Sequence, residues 1–155
     1  MKAKLFVLSL LLVATACGKG ERPFRMVQFC LADVNEIDAM KATLRRVAIA
    51  NKLSIHDNSK QTEADLDSIA QSQKTVPVAH PTVNVVTIGS DAMGFSAGNF
   101  AEAPLQIVIG FSKGRNSAAA QKLSDTVVQA LSHQWQIHEV PNVEEAGAFP
   151  LESCG

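Results

Sequence analysis

Tyrosine is absent from this sequence and tryptophan occurs once, so aromatic residues make up only 5% of the chain. That leaves little material for stacking bases or sugar rings. Positive charge is also in short supply. With Lys2 and Lys4 set aside, twelve basic residues face fifteen acids, a formal charge of −3, which argues against a nucleic-acid partner. The three cysteines, Cys17, Cys30 and Cys154, are too few and too scattered for an iron–sulfur centre. No apolar run reaches the roughly 20 residues that a permanent membrane-spanning helix needs. A chain of 155 residues has room for one substantial domain and none for a second catalytic one.

What is present is the composition of an ordinary globular protein, 46% hydrophobic and 19% charged, behind a distinctive N-terminus. Residues 1–4 carry two lysines, residues 5–13 are an almost unbroken apolar run, and Ala14-Thr15-Ala16 puts small side chains before Cys17. This three-part layout predicts a secretory signal over residues 1–16. The stretch Val13-Ala14-Thr15-Ala16-Cys17 resembles the lipobox of bacterial lipoproteins, and the overall layout is similar to that of small uncharacterised members of that class. The resemblance covers residues 1–17 specifically. It implies that Cys17 is diacylated, becomes the mature N-terminus and attaches the protein to a membrane. Gly18 rather than Asp after the cysteine implies sorting to the outer membrane, facing the periplasm. Ala14 stands where the lipobox has Leu, and Ala14-x-Ala16 also suits an ordinary signal peptidase, so simple secretion stays open. If Cys17 carries lipid, Cys30 and Cys154 remain as a pair. Their disulfide would suit an oxidising periplasm and contribute about 2–4 kcal/mol by restricting the unfolded chain. Two reduced, packed thiols are the alternative.

Residues 17–23, polar and punctuated by Gly18, Gly20 and Pro23, read as a tether, and residues 24–155 as one domain. Val27, Phe29 and Leu31 alternate with Met26, Gln28 and Cys30, which predicts a strand. Asp33 followed by Glu36 fits a capping box opening a helix through Ile37, Met40, Leu44, Val47 and Ala48. Strands are expected over 83–88, 105–111 and 135–140. A second helix from Ser117 presents Ala120, Leu123, Val127 and Leu131 on one side. Strand, helix, strand, strand, helix, strand is the order of an α+β, ferredoxin-like split β-α-β sandwich with both helices on one face of an antiparallel sheet. The excursion over residues 53–81 is longer than such a connection needs. Leu53 and Ile55 suggest an extra edge strand, and residues 62–73 a short acidic helix docked by Leu66 and Ile69. A Cys30–Cys154 bond would draw residues 149–151 against the sheet face of Met26, Gln28 and Cys30.

Among possible chemistries, Gly94-Phe95-Ser96-Ala97-Gly98 matches the G-x-S-x-G pattern of a hydrolase, with Asp125 and His133 or His138 following in the order such enzymes use. An elbow needs a strand directly before the serine and a helix directly after. Residues 90–93 intervene on one side and Pro104 on the other, so the segment reads as a Gly-rich hairpin connection. The four histidines, His56, His80, His133 and His138, lack the i, i+4 spacing that puts two ligands on one helical face, and no metal or cofactor is expected. Residues 112–117 join a strand to a helix start as a plain turn, with Asn116 or Ser117 as N-cap. An anion held by its two cations is the rival reading. Glu63-x-Asp65-x-Asp67 alternates like a Ca²⁺ loop but lacks the following Gly and Glu. Together with Asp57 these acids are the candidate partner-binding set. The expectation is a non-enzymatic envelope lipoprotein, accessory or immunity-type, that binds another envelope protein or a small ligand. A lipid-anchored serine hydrolase using Ser96 is the alternative. Cys17→Ala is expected to abolish metabolic labelling with a fatty-acid analogue; unchanged labelling would contradict the lipobox.

Overall fold

The computed structural model describes residues 22–75, 81–100 and 103–141. The elements are β1 (Arg25–Cys30), α1 (Glu36–Ala50), β2 (Ser54–Asp57), α2 (Ser59–Gln73), β3 (Asn84–Ile88), β4 (Gly94–Phe100), β5 (Ala103–Ser112), α3 (Ser117–Ser132) and β6 (His138–Glu139). The fold is α+β. Its six strands form one sheet in the order β2-β3-β4-β5-β1-β6, antiparallel at every junction. The run β6-β1-β5-β4 has the spatial order of a ferredoxin-like sandwich. The insertion after α1 supplies β2 and α2, and β2 and β3 extend the sheet past β4.

Register decides which residues become core. Val27 and Phe29 of β1 lie opposite Ile109 and Ile107 of β5. Across the next junction, Ile109 faces Ala97 and Phe111 faces Phe95 of β4. Side chains alternate along a strand, so all of these share one face, and all are buried. Onto that face α1 lowers Met40, Leu44 and Val47, and α3 lowers Leu123, Val127 and Leu131, each set spaced to form one stripe. The rings of Phe29 and Trp135 meet with centroids 5.5 Å apart, and those of Phe95 and Phe111 at 6.2 Å.

The structure corrects several local expectations. Residues 94–98 are not a hairpin connection but the start of strand β4, paired on one side with β3 and on the other with β5. Pairing along both edges overrides the weak strand preference of Gly, Ser and Asn. The hairpin turn lies earlier, where Gly89 N–H donates to the Met93 carbonyl. A Cβ on Gly94 would be driven into the Thr87 carbonyl oxygen, so glycine is required at this close approach. The strand expected over 135–140 shrinks to His138–Glu139, because Trp135 still donates its N–H to Leu131 at the end of α3 and turns its ring into the core.

The capping box is also displaced. Asp33 accepts from the Asn35 N–H at 2.7 Å, and Glu36 reaches back to the Ala32 N–H at 2.8 Å while accepting the Trp135 indole N–H at 3.0 Å. Glu36 therefore links the start of α1 to the segment after α3. At α3 the cap is Asn116, whose side chain accepts from Ala119 N–H at 3.0 Å. The acidic helix begins three residues earlier than expected and exposes Ile69, at 51%, rather than docking it. Cys30 stands at the exposed end of β1. Cys17, Cys154, His80, the signal and most of the tether, and residues 149–151 lie outside the described residues.

Phe29 is fully buried between the sheet and Trp135. Phe29→Ala is expected to lower stability by about 3–5 kcal/mol, measured by urea denaturation. Ile49→Ala, on an exposed position of α1, should cost less than about 0.5 kcal/mol.

Candidate ligand-binding groove

The face of the sheet opposite α1 and α3 is built differently. One row across it runs His56, Val86, Ser96, Gly110, Met26, and the next runs Asn84, Gly98, Val108, Gln28, His138. In the middle, on β4 and β5, Ser96, Gly98 and Gly110 are small and Val108 is the one larger residue, while Met26, Gln28 and the histidines stand towards the flanks. The sheet therefore has a trough along its centre. Pro23 leans over one side, so close that a Cβ on Gly110 would sit 3.4 Å from the proline ring. Thr62 and Leu66 of α2 form the other side, fixed by the Asn84 side chain, which donates to the Thr62 hydroxyl at 2.8 Å. The resulting groove has a volume of about 730 Å³, within the range of about 300–1,000 Å³ that holds small ligands.

Its polar content is sparse. The Ser112 hydroxyl is turned to the Ala92 and Gly94 carbonyls at 3.1 and 3.2 Å. The Thr62 hydroxyl already accepts from Asn84. Ser96 is exposed at the floor, and its hydroxyl has no hydrogen-bond partner among the described residues. None of the described lining residues is charged. Towards the Cys30 end the face closes: Gln28 and Gln106 are buried there and both are engaged.

Charge is concentrated elsewhere. Arg25 spans β1, β6 and α3, meeting Asp125 at 2.7 Å, Glu139 and the Ser124 hydroxyl. The Glu139 hydrogen bond raises its pKa against the opposing effect of burial, with Asp125 adding to the rise. Both carboxylates are well exposed, so these pairs orient the edge more than they stabilise it. On the far edge, Lys41 of α1 meets Asp57 at 3.0 Å. Burial pushes the Asp57 carboxyl up, but hydrogen bonds from the Ser59 hydroxyl, Lys41 and the Ser59 N–H outweigh it and hold the pKa below the ordinary value.

The residues singled out in the sequence are dispersed. Ser96 stands mid-strand on the groove face, whereas Asp125 lies on α3 across the sheet, bonded to Arg25 and Gln121. His133 ends α3 and His138 is on β6. The G-x-S-x-G pattern is thus neither an elbow nor part of an assembled triad. The acidic set also separates. Asp57 is committed to Lys41 and Ser59, while Glu63, Asp65 and Asp67 lie on α2. There Asp65 accepts from Gln61 at 2.8 Å, and one Asp67 oxygen is buried without a partner among the described residues. Positions 63 and 67 share one side of a helix and 65 faces away, so no single four-acid surface forms. In the 112–117 turn, Arg115 N–H donates to Asp91 and Asn116 caps α3. Gly114 adopts φ +57° there. Among the described residues no cluster of potential metal ligands occurs.

No protein-family model and no curated protein matches the chain. It is similar to the adenosylmethionine decarboxylase of Aquifex aeolicus, at 15% identity and a TM-score of 0.42 over 84% of this chain and 94% of that one. A likeness of that size carries nothing about activity.

The lowered Asp57 pKa has a definite sign. A carboxyl depressed in the folded state contributes stability above its unfolded value, about 3.9, and that contribution is lost as pH falls through the folded value. Asp57→Asn is expected to lower the urea midpoint at pH 7, with the deficit shrinking as pH falls below about 4. A deficit independent of pH would show that the charge on Asp57 is immaterial.

Proposed function

We propose that this chain is an envelope lipoprotein, held by lipid on Cys17 at the outer membrane and facing the periplasm, whose α+β domain is a binding module for another envelope protein or a small ligand. It does not act as an enzyme in this reading. The observation that carries it is the groove, an open trough of about 730 Å³ on a sheet face whose centre is Ser96, Gly98, Val108 and Gly110. Three of these four are serine or glycine, which bring little side-chain packing to the middle of a sheet and leave space for something else. The dispersal of Ser96, Asp125 and the histidines supports binding over hydrolysis. In this reading Cys30 pairs with Cys154 in an oxidising compartment, which frees Cys17 for lipid. Among the acids proposed for partner contact, Asp57 is already bonded to Lys41 and Ser59. Glu63 and Asp67 share one side of α2 and Asp65 another, so partner contact through these acids would involve Glu63 with Asp67 or Asp65 alone.

The test is photocrosslinking in intact cells with benzoylphenylalanine placed at Ile88, an exposed residue of the groove lining, or, for comparison, at Arg45, which is exposed on α1. A discrete adduct is expected from Ile88 and not from Arg45, whether it is a slower protein band or a small mass increment. No adduct at Ile88, or one from Arg45 alone, would contradict the groove as the binding site.

A further inference from the structure

We propose that the groove takes a fatty acyl chain of a lipid drawn from the membrane to which the protein is tethered. The proposal deepens the binding reading above and rests on it and on the lipid at Cys17. Three observations point to this occupant. The first is charge. None of the described residues lining the groove is charged, so a ligand with charged groups at the floor would lose its hydration without an ion to replace it. The second is backbone. Ser96, Gly98, Val108 and Gly110 are paired in the ladders on both sides, so their N–H and C=O groups are used within the sheet. A peptide laid across that floor would bury amides with almost nothing to bond to, whereas methylene groups ask for no partner and gain from contact with Met26, Leu66, Val86 and Ile88.

The third observation is reach. Pro23 is part of the groove wall, and six residue steps separate it from Cys17. Fully extended they span roughly 20–22 Å. A lipid on Cys17 would therefore hold the groove within about that distance of the bilayer surface, where a lipid can present a chain without crossing much water. The exposed side chain of Ser96 marks the floor that the chain would cover.

The test uses the mature lipidated protein on vesicles of phosphatidylethanolamine and phosphatidylglycerol, doped with phosphatidylcholine bearing a diazirine in its acyl chain. After photolysis, peptide mapping is expected to find lipid adducts on β4 and β5. Ser96→Phe, which fills the trough from an exposed strand position, should cut that yield by about tenfold or more, and Arg45→Phe, on the exposed side of α1, should leave it within about twofold. Urea midpoints matching wild type confirm that both variants fold, and Ser96→Leu serves if Ser96→Phe does not. Because the label is on free lipid, the protein's own acyl groups cannot produce the signal. Adducts confined to the N-terminal tether, or a yield indifferent to Ser96→Phe, would overturn the proposal. A protein adduct at Ile88 in cells without any lipid adduct on vesicles would overturn the acyl chain while leaving the binding reading intact. Absence of both would remove the binding reading as well.

Discussion

The register between β1, β5 and β4 is the constraint on which the rest of this structure depends. It sets Val27, Phe29, Ile107, Ile109, Phe95 and Phe111 on one face of the sheet and, by the same alternation, Ser96, Gly98, Val108 and Gly110 on the other. A slip of one residue would exchange the two sets. The face with the large side chains must be covered, and α1 and α3 cover it. The face with the small ones is left with a trough. Stability and the candidate binding site are therefore two consequences of one pairing, and neither can be altered by moving a strand without altering the other.

The edges of the sheet are held by different means. On the β6 side, Arg25 joins three elements through exposed carboxylates, an arrangement that fixes geometry at little gain in stability. Glu36 and the Trp135 indole do similar work from inside, tying the start of α1 to the segment after α3. On the β2 side, Asp57 and Ser59 join α1 to the insertion through Lys41, and the Ser59 hydroxyl also receives the Asn84 N–H. That second network matters for the groove, because it sets where α2 starts and hence where Thr62 and Leu66 stand.

The sandwich was legible in the sequence because its principal elements have strong periodicity. Val27, Phe29 and Leu31 alternate, Met40, Leu44 and Val47 recur at helical spacing, and Leu123, Val127 and Leu131 do the same. The edge strand at residues 54–57 and the acidic helix were visible for the same reason. Strand β4 was not, since Gly94, Gly98 and Asn99 carry turn preferences and the segment is a strand only because both neighbours pair with it. The groove is hidden in the sequence for the same reason, as its floor is half β4. A signal was present: Phe95 and Ala97 alternate with Ser96 and Gly98, and Val108 and Gly110 are small outward positions between the inward Ile107, Ile109 and Phe111. The displaced capping box has another cause. Glu36 is drawn towards Trp135, 99 residues away, and no local pattern records that.

Ser96 carries both the leading interpretation and its rival. As a nucleophile it would need a base and an acid, and the sheet stands between it and Asp125. As the floor of a groove it needs only to be small and exposed, as it is. The most direct measurement is treatment of the intact mature protein with a fluorophosphonate probe, read by mass spectrometry. The binding account predicts no covalent product at Ser96. Stoichiometric labelling of the wild type that disappears in Ser96→Ala would contradict it and restore the hydrolase.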